Sequence, residues 1–161
     1  MRVTENADDD VRIRPAVPRD AEAVTGVFLA SRAAAMPYLP RLHSDEDTLA
    51  WITHAVLPTS TAVWVAEEAG EGGALLGFAV LAGDGELDHL YLRPDALRRG
   101  IGSRLLAEVR EAADGPLTLY VFQRNAPARA FYERHGFTAV AFDDGGRNEE
   151  GGPDVLYRWT P

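Results

Sequence analysis

The chain contains no cysteine and no lysine, and each absence removes whole classes of chemistry. Without a thiol there is no disulfide, no thiolate metal site and no cysteine nucleophile, a pattern that fits an intracellular protein indifferent to redox state. No metal is expected. All 16 basic residues are arginine, so no ammonium is available as a catalytic base or Schiff-base former. No run approaches the ~20 consecutive apolar residues of a membrane span. The start, Met1-Arg2-Val3-Thr4-Glu5-Asn6, lacks the apolar centre of a secretion signal, so a cytoplasmic, membrane-free location is expected. Basic charge is also scarce: 25 acidic residues leave a net charge of -9, which repels nucleic acid backbones and favours a cationic partner.

What is present is enough for one domain with one core: 161 residues, 46% of them hydrophobic. Residues 1–10 carry four acidic groups and read as a flexible solvated arm, leaving 11–161 as a single domain. Val11 to Arg14 alternates like a strand, and Pro18 to about Met36 has helical spacing. Ser44-Asp45-Glu46-Asp47 caps a second helix through about Val56, with Trp51 and Ile52 expected to face the core. Two strands near 62–68 and 74–82 flank the hairpin turn Gly70-Glu71-Gly72-Gly73, and Glu86 to Arg93 forms a third. A helix over 101–113, a strand over 117–122, a helix over 126–135 and strands near 137–142 and 154–159 complete the order β-α-α-β-β-β-α-β-α-β-β. That order predicts an α/β fold with a mixed, mostly antiparallel sheet of about six or seven strands flanked by about four helices.

The strongest local feature is Leu90-Tyr91-Leu92-Arg93-Pro94-Asp95-Ala96-Leu97-Arg98-Arg99-Gly100-Ile101-Gly102-Ser103. A strand stops at proline and turns through two glycines into an amphipathic helix. The unpaired N–H groups and dipole at such a helix start bind anions, and Arg98 and Arg99 add positive charge suited to a pyrophosphate. Two glycines alone would also serve merely to close the turn. A nucleoside triphosphate loop would need a lysine, and a dinucleotide fingerprint would need a third glycine near Leu105.

This loop resembles motif A of the GNAT acetyltransferases, Arg/Gln-x-x-Gly-x-Gly/Ala, over about Asp88 to Ala107, although Leu97 stands where the family has Arg or Gln. The segment Asn125-Ala126-Pro127-Ala128-Arg129-Ala130-Phe131-Tyr132-Glu133-Arg134-His135-Gly136-Phe137 resembles motif B of the same family at every characteristic position. Seven residues separate Asn125 from Tyr132, about two helical turns, so both lie on one face.

The resemblance implies an N-acetyltransferase that passes an acetyl group from acetyl-CoA, bound as acyl-donor substrate, directly to a primary amine within a ternary complex. It implies that Leu90, Tyr91 and Leu92 offer backbone groups to the pantetheine arm, that Arg98, Arg99, Gly100, Ile101, Gly102 and Ser103 seat the pyrophosphate, and that Asn125 also contacts the arm. Tyr132 is then the acid that protonates the departing thiolate, with the Leu92 N–H as oxyanion donor. Glu86, 14 residues before Gly100, resembles the glutamate base of histone-type members. Asp88, His89 or a water remain alternatives for that role, and Tyr120 occupies the place of the other acid known in the family, where it cannot act as a carboxylate.

Family resemblance further places the acceptor site among about Met36 to Trp51 and Asp143 to Asp154. Tyr38, His43, Asp45, Asp47, Glu149, Glu150 and Asp154 are the candidates there, with Glu149 or Glu150 suited to a cationic amine on a small molecule or peptide. A homodimer stays open. A coenzyme A-binding regulatory domain without catalysis, and an acyltransferase for a larger acyl group, are the other readings that the residues permit.

Overall fold

The computed structural model describes residues 10–83 and 85–161; the acidic arm expected at the start lies, but for Asp10, outside them. The elements follow the expected order. They are β1 Val11–Pro15, α1 Ala21–Ala35, α2 Asp45–Trp51, α3 Leu57–Thr59, β2 Ala62–Glu68, β3 Leu75–Ala82, β4 Glu86–Leu92, α4 Ile101–Ala112, β5 Leu117–Phe122, α5 Ala126–Arg134, β6 Thr138–Asp143 and β7 Asp154–Trp159. Seven strands form one sheet in the order β1-β2-β3-β4-β5-β7-β6, antiparallel except between β4 and β5. The expected α/β sheet is therefore present. No helix among the described residues is long and apolar enough to cross a membrane.

Helices cover both faces of the sheet and divide the core in two. On one face Val24, Val27 and Phe28 of α1 and Ile52 and Val56 pack against Val65, Phe78 and Val80. On the other, Leu105, Leu106 and Val109 of α4 and Tyr132 of α5 pack against Leu119, Val155 and Tyr157. Each of these large apolar side chains contributes roughly 1.5–3 kcal/mol by leaving water, which is what holds helices to the sheet.

The second helical segment runs further than Val56. Between α2 and α3, Ile52–Val56 widens into a π-helical turn in which the Leu57 N–H donates to the Ile52 carbonyl. Pro58 explains it: proline has no N–H for the carbonyl four residues back, and its ring crowds that carbonyl, so the helix widens rather than stopping. Ser44 caps the start by accepting from the Asp47 N–H at 3.1 Å, as expected. Trp51 departs from expectation. The buried stripe is Thr48, Ile52 and Val56, spaced by four, and it leaves Trp51 off the core face, 40% exposed, while Ile52 is fully buried.

Beside β1, Arg14 binds Asp20 through two hydrogen bonds of 2.8 and 2.9 Å and Glu67 through contacts of 3.1 Å. Both acids are buried. Arg14 holds the Asp20 and Glu67 carboxyls below their ordinary range.

Candidate active site

Strand β4 is the axis of the site. All its residues except Asp88 pair with β3, but on its other edge only Glu86 has a β5 partner, Thr118. Beyond that pair the two strands diverge, and backbone groups from Leu87 to Leu92 face a gap instead of a neighbour. The direction of these groups follows from strand alternation. The Arg93 N–H donates to Leu76 on the β3 side at 2.7 Å, so the N–H groups of Leu92 and Leu90 point to the open edge. An unpaired edge inside a sheet is costly unless something else hydrogen-bonds to it.

Gly77 opposite Leu92 is set by space. A Cβ there would lie 2.4 Å from a Leu92 methyl and 2.9 Å from the Tyr91 carbonyl oxygen, so glycine alone lets β4 sit at this position.

A second irregularity decides which β4 side chains work together. Val80 pairs with His89 and Leu81 with Leu87, so Asp88 is an extra residue in a β-bulge. Plain alternation would put Glu86 on the face of Leu90 and Leu92. The bulge instead turns Glu86 to the face of His89 and Tyr91, beneath α1 and α2, while Leu87, Leu90 and Leu92 pack towards α4 and α5. Burial, with some help from Asp88, raises the Glu86 carboxyl above its ordinary range.

At the end of β4 the chain passes a short turn, Pro94–Ala96, to the N-terminus of α4. Gly100 caps that helix with φ 76, a left-handed conformation that favours glycine, and Arg98 at φ 65 is the one non-glycine residue of positive φ among those described. No side chain caps α4, so its first N–H groups, from Ile101 to Ser103, lack intrahelical partners. Gly102 lets the helix approach closely: a Cβ would touch the Phe131 ring at 3.4 Å and Leu92 at 3.6 Å. Of the two arginines expected to add positive charge, Arg99 pairs with Glu68 at 2.9 Å, whereas Arg98 has no ion pair among the described residues; nearby Arg93 pairs with Asp95 at 3.1 Å. Ser103 Oγ lies 3.0 Å from His135 Nε2, tying the first turn of α4 to the end of α5.

Across the gap stands α5. Asn125 caps it by accepting from the Ala128 N–H at 3.3 Å, leaving its amide nitrogen without a partner among the described residues. Tyr132 is buried, with Phe131, Phe137 and Tyr157 rings 5.2, 5.4 and 6.5 Å away. Its hydroxyl makes no hydrogen bond among the described residues. Burial, and to a smaller extent Tyr91, raises the phenol well above its ordinary value, so it stays protonated at any working pH.

On the α1 face lies a cleft of about 710 Å³, formed by α1, the segment after it, α2 and the β6–β7 loop. Phe28 and Trp51 line it, and behind them His89 is enclosed by four aromatic rings: Trp51 at 5.3 Å, Tyr91 at 5.8 Å, Phe28 at 6.0 Å and Phe78 at 6.3 Å. Both His89 nitrogens are buried without a hydrogen bond, and burial lowers the imidazole below its ordinary value.

Of the expected acceptor residues, His43, Asp47, Glu149 and Glu150 line this cleft. Their charges are partly spent: His43 Nε2 lies 3.0 Å from Glu149, and Arg32 donates to Glu150 at 2.9 Å. Asp45 instead pairs with Arg41. Tyr38 stands under the Arg124 guanidinium, 4.0 Å from its ring, with its hydroxyl buried and unpartnered. Asp154 lines a separate pocket of about 350 Å³ with Tyr120 and Arg147. Arg32 went unpredicted because an arginine on a helix carries no local signal.

Similarity to known proteins agrees with this geometry. Residues 59–139 match the family model of the acetyltransferase (GNAT) domain. The chain is 32% identical over 128 residues to the peptidyl-lysine N-acetyltransferase YiaC of Escherichia coli, covering 80% of this chain and 84% of that protein. In fold it is similar to a GCN5-related N-acetyltransferase from Rhodopseudomonas palustris, with a TM-score of 0.75 and 22% identity over 94% of this chain and 96% of that one. It is also similar to the PaiA N-acetyltransferase of Thermoplasma acidophilum, solved in complex with coenzyme A, with a TM-score of 0.66 and 20% identity over 94% of this chain and 99% of that one. A splayed β4–β5 pair, an uncapped glycine turn into α4 and a buried tyrosine on α5, in a chain matched over half its length, identify it: this protein belongs to the GNAT acetyltransferases.

Proposed function

We propose that the protein transfers an acetyl group from acetyl-CoA to a primary amine, small molecule or peptide, by direct attack while both substrates are bound. The carrying observation is the gap between β4 and β5. It offers a row of unpaired backbone groups that leads from Glu86 to the uncapped start of α4, and Tyr132 stands on α5, the next helix along.

The acyl donor suits this gap chemically. Its pantetheine amides can pair with the open edge of β4 around Leu90 to Leu92 and with the Asn125 amide, and its pyrophosphate with the N–H groups of Ile101 to Ser103 and with Arg98 and Arg99. Gly100 and Gly102 keep that turn free of side chains.

A primary amine with a pKa near ~10 arrives protonated and must lose a proton before it can attack. Glu86 is the base. The bulge turns it to the sheet face that α1 and α2 cover, and its raised carboxyl is a better proton acceptor than an ordinary glutamate. Asp88 is exposed on the bulge itself, and His89, its Nε2 3.5 Å from the Asp88 carboxylate, is packed among aromatic rings, so neither is as well placed. The nitrogen adds to the thioester carbonyl, and the oxygen gathers charge against the Leu92 N–H. The carbon–sulfur bond then breaks, with the Tyr132 proton passing to sulfur. Burial makes that phenol a weaker acid, so its transfer accompanies the departure of sulfur and does not precede it. The second nitrogen proton of the adduct replaces the one Tyr132 gave to sulfur and the first leaves Glu86 for solvent, so the amide, coenzyme A and one proton are released with both residues restored.

Titration with coenzyme A followed by amide NMR tests the site. The expected result is that the largest shifts fall on Leu90–Leu92, Gly100–Ser103 and Asn125. Shifts confined to the cleft under α1 and α2 would refute it.

A further inference from the structure

The cleft beneath α1 and α2 has an unusual floor for a site meant to hold a simple cation. Arg32 of α1 and Glu150 of the β6–β7 loop meet there at 2.9 Å, and both side chains are largely covered, 24% and 12% exposed. Only Nη2 of the guanidinium is hydrogen-bonded; Nε and Nη1 have no partner among the described residues, although the guanidinium lies 5.3 Å from the Phe28 ring. A guanidinium has two bidentate edges, Nε with Nη2 and Nη1 with Nη2; the single contact to Glu150 uses one Nη2 hydrogen and leaves the other edge open, and a carboxylate is the group that such an edge fits.

The surroundings agree. Arg32 lies over the Phe28 ring, which is itself 5.2 Å from Tyr91 and 6.0 Å from His89, so the guanidinium sits beside the aromatic cluster on β4. Phe28 and Trp51 supply an apolar wall beside it. An acceptor carrying only positive charge would find Glu150 already neutralised and Arg32 repelling it. An acceptor carrying both charges meets a partner for each.

We infer that the acceptor is an amine bearing a carboxylate and an apolar body, an amino acid or a compound of that class, with its carboxylate held by Arg32, its ammonium first met by Glu150 and its apolar part against Phe28 and Trp51. The inference rests on the acetyl-transfer reading above and specifies its substrate. Arg32 is a specificity residue here; the bond-making steps remain with Glu86 and Tyr132.

The test compares acceptors that differ by the carboxylate alone: L-phenylalanine against phenethylamine, and L-methionine against 3-(methylthio)propylamine, each assayed by free-thiol release from acetyl-CoA. The wild type is expected to prefer the amino acid in kcat/KM. In Arg32→Gln that acid-over-amine preference should fall at least tenfold, chiefly through KM for the acid, with Arg32→Lys intermediate. Coenzyme A binding by calorimetry and thermal melting are measured on each variant to show that it is folded. If Arg32 merely supported the fold, both acceptor series would weaken together and the ratio would stand, which would overturn the inference. A wild-type preference for the amines would overturn it as well, while leaving acetyl transfer intact. Coenzyme A binding without turnover of any acceptor would sink the acetyl-transfer reading, and this inference with it.

Discussion

At the scale of single residues, the proposed base Glu86 and the proposed acid Tyr132 are tuned by one physical effect acting on two acidic groups. Burial disfavours the charged form of each, so the glutamate becomes more basic and the tyrosine holds its proton. A base matters most where the acceptor amine is protonated. Glu86→Gln should therefore lower kcat by about 100-fold near neutral pH and progressively less towards pH ~10, where free amine is abundant. In the wild type, activity should fall as pH drops through the raised Glu86 value, an acid limb above the usual carboxylate range, and the variant should lose that limb. Steady-state pH profiles of both proteins check this, and coincident profiles would exclude Glu86. Motif B made Asn125 and Tyr132 legible from sequence, since their spacing is fixed by the helix. Arg32 and the enclosure of His89 were not, because both depend on which distant residues the fold brings alongside.

At the scale of elements, the site exists because β4 is irregular on both edges. Its bulge at Asp88 orients Glu86, and its divergence from β5 opens the gap. The open edge was expected only through the family resemblance, which gave the Leu90 to Leu92 backbone groups to the pantetheine arm; the bulge was not legible, because a strand's sequence shows alternation and a bulge is an interruption of alternation created by the partner's register. The bounds of β2, β5 and β7 follow directly from β-rich runs between glycine, proline and polar turns. The π-turn before Pro58 shows the limit from the other side. Proline reads as a stop signal, yet the packing of Ile52 and Val56 carries the helix past it. Gly77 offers the sharpest test at this scale. Gly77→Ala places a Cβ against the Tyr91 carbonyl and the Leu92 side chain, so β4 must shift at the Leu92 N–H, the proposed oxyanion donor. The expected cost is about 1–3 kcal/mol in stability by urea unfolding. A fall in kcat of at least about tenfold should accompany it, as sub-ångström misplacement of an oxyanion donor is expensive. Wild-type turnover in a correctly folded variant would show that the Leu92 position is not critical.

At the scale of the whole molecule, a chain of net charge -9 still compensates two of its buried acids, Asp20 and Glu67. The Arg14, Asp20 and Glu67 network ties β1 and the start of α1 to β2. Arg14→Met removes the paired cation from buried Asp20 and one of two from buried Glu67, which keeps Arg12, and should cost about 3 kcal/mol at pH 7. Both acids have folded values below their unfolded ones near ~4, so the stabilisation is complete above that pH and is lost as pH falls through the folded values. The difference between variant and wild type should accordingly shrink in urea unfolding at pH 3, and a constant difference would contradict the network's role. The two halves of the core serve one purpose, since α4 and α5 flank the gap on one face while α1 and α2 roof the cleft on the other, with β4 between them. The claim that this arrangement performs acetyl transfer is tested most directly by amine-dependent thiol release from acetyl-CoA in the wild type and in Tyr132→Phe. Saturable release in the wild type, reduced about 100-fold in the variant at unchanged coenzyme A affinity, is the predicted result; equal rates in the two proteins, or coenzyme A binding with no amine-dependent release, would contradict it.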